Sequence, residues 1–210
     1  MAKLPDGIFG GFSGRIGNIV GVIRNGTQYI RSAPAQMTNP QTPKQQANRK
    51  KFALATKLAS RLGPFIEKGF ATAETKTARG ACISYNMKSG IYEEGDNDIR
   101  YSNIMVSAGA LRQVQGPVAD RMEEDRIRIT WQDNSGAGNA LAGDRVIAMA
   151  MAEGKQFHAC YNLEGSERSH KEEWLELDEL LKKEPAVHVY LSVISPSRNL
   201  ASNSEYLGFV

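Results

Sequence analysis

The spacing of apolar residues changes partway along this chain, and that change does most to limit its fold. Leu54, Ala55, Leu58 and Leu62 recur at the spacing of one helix face, and Phe65, Ile66 and Phe70 continue the stripe. Further on, alternation takes over. Arg126-Ile127-Arg128-Ile129-Thr130-Trp131 and Val187-His188-Val189-Tyr190-Leu191-Ser192-Val193 both have the period of strands. Between the two regimes, Glu93 to Asn103 is acidic and polar and reads as a boundary. The expected class is α+β. An N-terminal glycine-rich basic arm with a β-hairpin and linker occupies 1–42, a helical segment 43–92 and an antiparallel β-sandwich 93–210. Strands are expected at 104–108, 126–132, 145–152, 156–162, 173–177, 187–194 and 204–209, with a helical turn within Leu177 to Lys183.

Local signals sharpen this outline. Asn25-Gly26 between two apolar runs predicts a two-residue hairpin turn that pairs Asn18–Arg24 with Thr27–Ser32. That register sets Val22 opposite Tyr29 and Val20 opposite Arg31. Val20, Val22, Tyr29, Arg24 and Arg31 then share one aromatic, aliphatic and basic face. The glycines before it (Gly7, Gly10, Gly11, Gly14, Gly17 and Gly21) lack the order of a phosphate loop and read as a tight-turning arm that packs on neighbours. Thr42, Pro43 and Gln45 form a helix start, with Thr42 as cap. The helix from Pro43 runs to about Leu62, where Gly63-Pro64 breaks or kinks it; a second segment reaches about Ala78 and a short helix spans Ala81 to Lys88.

Charge is divided as unevenly as period. Residues 1–90 hold 14 Lys/Arg against 3 Asp/Glu, and residues 91–210 hold 12 against 20. Arg15, Arg24, Arg31, Lys44, Arg49, Lys50, Lys57 and Arg61, with Tyr29, are the candidate contacts to a partner or to nucleic acid. Lys50, Lys57 and Arg61 fall on one helical stripe. No helix-turn-helix, zinc-finger or RNA-recognition motif accompanies them, which disfavours sequence-specific reading. The preferred account is electrostatic contact with acidic surfaces of other subunits.

Enzymatic chemistry finds no foothold. His158, His170 and His188 lie outside any metal-ligand spacing, and no Ser-His-Asp or Cys-His motif is present. His158 and His188 read as cross-strand surface residues, and Trp131 and Trp174 as core aromatics. Glu172, Glu173, Glu176, Asp178 and Glu179 read as a solvated face. Cys82 and Cys160 read as buried free thiols. No catalytic residue, cofactor, metal or small-molecule substrate is expected. Nor is a signal peptide, membrane span or membrane partner.

The run Gly14-Arg15-Ile16-Gly17-Asn18-Ile19-Val20-Gly21, then Arg24-Asn25-Gly26, Tyr29-Ile30-Arg31, Asn39-Pro40-Gln41-Thr42-Pro43 and Gln45 to Phe52, resembles an uncharacterised family widespread in Bacteroidota and their phages. So do Ala81 to Ile91, with Ser84-Tyr85-Asn86, and Ile129 to Gly136. The arm and the Asn-Pro-x-Thr-x-x-Gln pattern are also similar to small structural proteins of tailed phages. The C-terminal half resembles a fibronectin type III or immunoglobulin-like domain, with Trp131 on the second strand and Tyr190 on the penultimate one. These resemblances imply a non-enzymatic virion subunit, at a capsid, neck or tail position, assembled in the host cytoplasm. Its partners would be other copies of itself and other virion-type proteins. The alternative is sequence-independent nucleic-acid binding through non-specific DNA contact.

Overall fold

The computed structural model describes residues 11–24, 26–34, 39–71, 77–91, 99–122 and 125–210. The chain divides into two compact units, Met1–Thr42 and Pro43–Val210.

The first unit holds a three-stranded antiparallel meander, β1 (Gly14–Ile16), β2 (Ile19–Arg24) and β3 (Thr27–Ser32). Its register sets Val20 opposite Arg31, Val22 opposite Tyr29 and Arg24 opposite Thr27, as the turn signal requires. Asn25 itself lies outside the described residues. The third strand, β1, comes from the glycine-rich arm. It turns at Gly17, whose φ of +55° suits glycine, and pairs Arg15 with Val20.

Among the described residues the second unit combines three α-helices with two antiparallel sheets, an α+β construction. The helices are α1 (Pro43–Arg61), α2 (Gly63–Gly69) and α3 (Ala78–Ser89). The strands are β4 (Gln115–Met122), β5 (Arg126–Gln132), β6 (Arg145–Met151), β7 (Ala159–Asn162), β8 (Glu172–Glu176), β9 (His188–Ser195), β10 (Leu200–Ala201) and β11 (Glu205–Phe209). One sheet has the order β4-β5-β8; the other has β10-β9-β6-β7, with β11 also on β9. Pro43 opens α1, and Gly63-Pro64 ends it and begins α2. Thr77 caps α3 by accepting from the Gly80 N–H at 3.2 Å. Leu181–Lys183 forms a single 3-10 turn.

Apolar residues gather on both sides of the larger sheet. On one side Val146, Ala148, Ala150, Val189, Leu191 and Val193 meet Ile127, Ile129, Trp131 and Leu175 of the smaller sheet. On the other, Ile147, Met149, Met151 and Tyr190 meet Leu58, Leu62, Phe65, Ile66, Phe70 and Cys82 from the helices. The helices therefore share a core with the strands, and the boundary expected near residue 93 falls inside the second unit. Residues 92–98 of that boundary lie outside the described residues.

Three expectations need correction. Residues 104–108 form no strand; Ile104 and Val106 instead pack under the helices. The first strand of the unit is β4, containing Gly116 and Pro117. An edge position, a register shift between Gln115 and Val118, and a φ of +56° at Gly116 accommodate that pair. His188 is buried, because its side of β9 lies under aromatic side chains and not under water. Trp174 is the reverse: it stands on the solvent side of β8, with the Arg126 and Arg128 guanidinium groups 5.5 and 5.8 Å from its ring centre.

Candidate interaction surface

The nine residues singled out by sequence occupy two places. Arg15, Arg24, Tyr29 and Arg31 belong to the N-terminal sheet; Lys44, Arg49, Lys50, Lys57 and Arg61 belong to α1. Each group is a surface of its own unit.

In the N-terminal sheet, Arg15, Val20 and Arg31 form one cross-strand row, with Val22 and Tyr29 forming a second row on the same face. Arg15 Nε donates to the Gly17 carbonyl at 3.0 Å, which steadies the turn and leaves most of its guanidinium outward. Every residue of β3 is exposed, Tyr29 at 56%. The opposite face was not anticipated. Ile16, Ile19, Ile23 and Ile30 share it, and all four are exposed. The sequence signal was present but ambiguous. Ile19-Val20 and Val22-Ile23 are apolar at consecutive positions, so both faces of β2 are apolar.

In α1, no residue before Ala55 is buried. Lys44, Arg49, Lys50 and Arg61 are exposed, and α1 carries no acidic residue. Lys50, Lys57 and Arg61 are seven and four residues apart, so a helical period aligns them. Lys57 is the exception to open exposure. It is half-buried and donates to Gln156 Oε1 at 2.6 Å.

The most organised polar cluster lies elsewhere, at one end of the two sheets. Arg168 is fully buried. Its Nη1 donates to Asn134 Oδ1 at 2.6 Å and to the Gln113 carbonyl at 3.2 Å. Its Nη2 donates to the Arg112 carbonyl at 2.7 Å and pairs with Asp144 Oδ2 at 3.4 Å. Arg198 grips the other Asp144 oxygen at 2.8 Å. Burial alone would raise the Asp144 pKa. Hydrogen bonds from the Leu141 N–H, Ser195 and Arg198 outweigh it and hold the carboxyl below the usual range. Trp131 Nε1 donates to the Arg168 carbonyl at 2.8 Å. Arg168 Nε is buried without a partner, but both of its terminal nitrogens end on a loop carbonyl, a loop side chain or Asp144, so the cluster's work is to fasten loops together.

Glu173 is the one buried member of the carboxylate run, accepting from Asn162 Nδ2 at 2.8 Å and from the Ser166 N–H. Cys82 and Cys160 are free thiols. A groove of about 470 Å³ lies beside α2, between Leu163, Ile194 and Leu200. Its lysine, Lys68, is engaged with the Leu163 carbonyl at 3.1 Å and with Glu164 at 3.8 Å. Among the described residues no three His, Cys, Asp or Glu side chains converge as a metal-ligand set, and no helix is long and apolar enough to cross a membrane.

Residues 11–208 match the model of a family of unknown function, DUF6266, and the chain belongs to that family. No curated protein and no solved structure matches it.

Proposed function

We propose that this protein is a non-enzymatic structural subunit of a multimeric assembly of the phage-virion kind, and that its N-terminal sheet makes the contacts between subunits. The observation that carries this reading is the N-terminal sheet itself. A three-stranded sheet needs a covered hydrophobic face to be stable. Here Ile16, Ile19, Val22, Ile23, Tyr29 and Ile30 are all between 40% and 61% exposed. Apolar surface of this density is the mark of a docking element. The division of charge agrees, since a basic arm and an acidic body on each copy can pair between neighbours.

The second unit would be the body, of fibronectin type III or immunoglobulin-like kind. Its strand arrangement supports this. The first, second and fifth strands of the unit form one sheet, and the third, fourth, sixth, seventh and eighth form the other. Trp131, on the second strand, is buried between the sheets.

Exposed lysines and arginines along α1 favour one further reading, sequence-independent binding of nucleic acid. The two readings separate experimentally. The assembly reading expects a discrete oligomer by native mass measurement that falls to monomer when residues 1–32 are removed. The nucleic-acid reading expects a monomer that shifts any duplex DNA at low salt, and loses the shift in a Lys50→Ala/Lys57→Ala/Arg61→Ala variant. An intact oligomer after truncation would overturn the first.

A further inference from the structure

The N-terminal sheet is two-faced. Arg15, Val20, Val22, Tyr29 and Arg31 lie on one side. Ile16, Ile19, Ile23, Gln28, Ile30 and Ser32 lie on the other, together with Gly14 and Gly21. This second side carries no charge. Phe12 crosses it at Gly21, where a side chain in place of the glycine would meet the phenylalanine ring at 2.7 Å. Gln28 Nε2 donates to the Phe12 carbonyl at 3.4 Å and fixes that crossing. Around Phe12 the four isoleucines remain 41% to 61% exposed.

We infer that the isoleucine face is the seat of the same face of a second copy, the two sheets stacking through Ile16, Ile19, Ile23 and Ile30. The inference rests on the assembly reading and names the partner for one of its contacts. Charge decides between occupants. An acidic partner surface would lose hydration against this face and find no cation on it, which is costly. Strand addition at the edge of β3 would leave the isoleucines in water. A second copy meets neither objection. In such a pair the Phe12 segment of each copy lies between the two sheets beside the isoleucines, and the Arg15 and Arg31 rows of both copies point outward, away from each other. Pairing through the arginine face would instead bring like charges together. The isoleucine face is thus self-complementary, as a two-fold interface requires.

The scale of the contact is modest. Six residues by three strands make a face of roughly 20 by 14 Å. That is well below the ~800 Å² per partner of a stable stand-alone interface. The pairing is therefore a concentration-dependent contact, strengthened where other contacts hold copies together.

Adjacent residues on opposite faces provide the test. In the full-length protein, Ile30→Cys should be joined to a second copy by a short bis-maleimide, with yield rising with concentration, whereas Arg31→Cys should not. Background is low, because burial pushes the native thiols Cys82 and Cys160 up to about 12 and about 11. In a second arm, Ile23→Lys/Ile30→Lys should raise the dimer dissociation constant at least about tenfold at both low and high salt. The melting of the Pro43–Val210 unit should not change. Equal cross-linking at positions 30 and 31, cross-linking at neither, or a dissociation constant unmoved by the lysines would overturn the pairing. If removal of residues 1–32 still dissociates the oligomer in that case, the assembly reading stands without it. If truncation leaves the oligomer intact, the assembly reading itself falls.

Discussion

Two buried basic side chains behave oppositely at the scale of single residues. Arg168 is charged and satisfied at both terminal nitrogens by Asn134, Asp144 and the carbonyls of Arg112 and Gln113. Removing one member of a buried pair leaves its partners desolvated, at a cost of roughly 3–5 kcal/mol. Arg168→Met should therefore lower stability to urea by about that much. Arg198→Ala, at a partly exposed site on the same carboxylate, should lower it distinctly less. Equal losses would mean that Arg168 is no more central than its neighbour. His188 is neutral and hemmed in. Its ring stacks on Tyr101 at 3.8 Å and on Phe209 at 4.4 Å, and Nδ1 bonds the Tyr206 hydroxyl at 2.9 Å. Its Nε2 is buried without a partner. Burial holds its pKa below the ordinary histidine value, with Glu153 acting weakly the other way. The unfolded chain then takes up this proton first, so the folded state loses stability as pH falls below about 6.5. Melting temperature should drop between pH 7 and pH 5, and His188→Phe, which keeps the stacking, should flatten that drop. An unchanged slope would place the proton uptake elsewhere.

Elements differ in how far their sequence betrays them, and the reason is how many of their faces are covered. The hairpin register was legible because a two-residue turn leaves no freedom: once Asn25-Gly26 is the turn, Val22 must meet Tyr29. The stripe running from α1 into α2 was legible because one face of a helix is buried and the rest is not. Leu58, Leu62, Phe65, Ile66 and Phe70 are buried as their spacing requires. Strand β9 misled because its alternating polar residues face a second layer instead of water. Tyr190 and Ser192 are fully buried there, bonding the carbonyls of Tyr101 and Ser202. Arg168 was invisible because it sits in the charged run Glu167 to Glu173, where nothing in sequence separates a buried cation from a solvated one. The isoleucine face was hidden by a strand apolar on both sides. Strand β4 was hidden by Gly116-Pro117, and its energetics can be tested. Gly116 holds a φ of +56° with open space around it. Gly116→Val should cost about 1–2 kcal/mol through backbone strain alone, seen as a lower melting temperature with the fold retained. A neutral outcome would mean that the bulge relaxes freely.

Across the whole molecule, charge and apolar surface supply two contacts that respond differently to salt. Residues 1–61 hold 10 Lys/Arg and a single Asp, while residues 62–210 hold 16 Lys/Arg against 22 Asp/Glu. A basic-to-acidic contact between copies weakens as salt shortens the screening length from about 30 Å at 0.01 M to about 8 Å at 0.15 M. Apolar stacking does not weaken in this way. An assembly held by both should therefore come apart in two stages. Raising salt should reduce a large oligomer to pairs joined through Ile16, Ile19, Ile23 and Ile30, and those pairs should persist until the protein is diluted. The Arg15→Glu/Arg31→Glu variant should reproduce the first stage at low salt, giving pairs where the native chain gives oligomers. Sedimentation velocity across salt and concentration distinguishes the cases. A single salt-driven step to monomer would mean that the isoleucine face adds nothing to cohesion. Salt-independent oligomers would mean that the charge division serves something other than assembly, and nucleic acid then becomes the first partner to try.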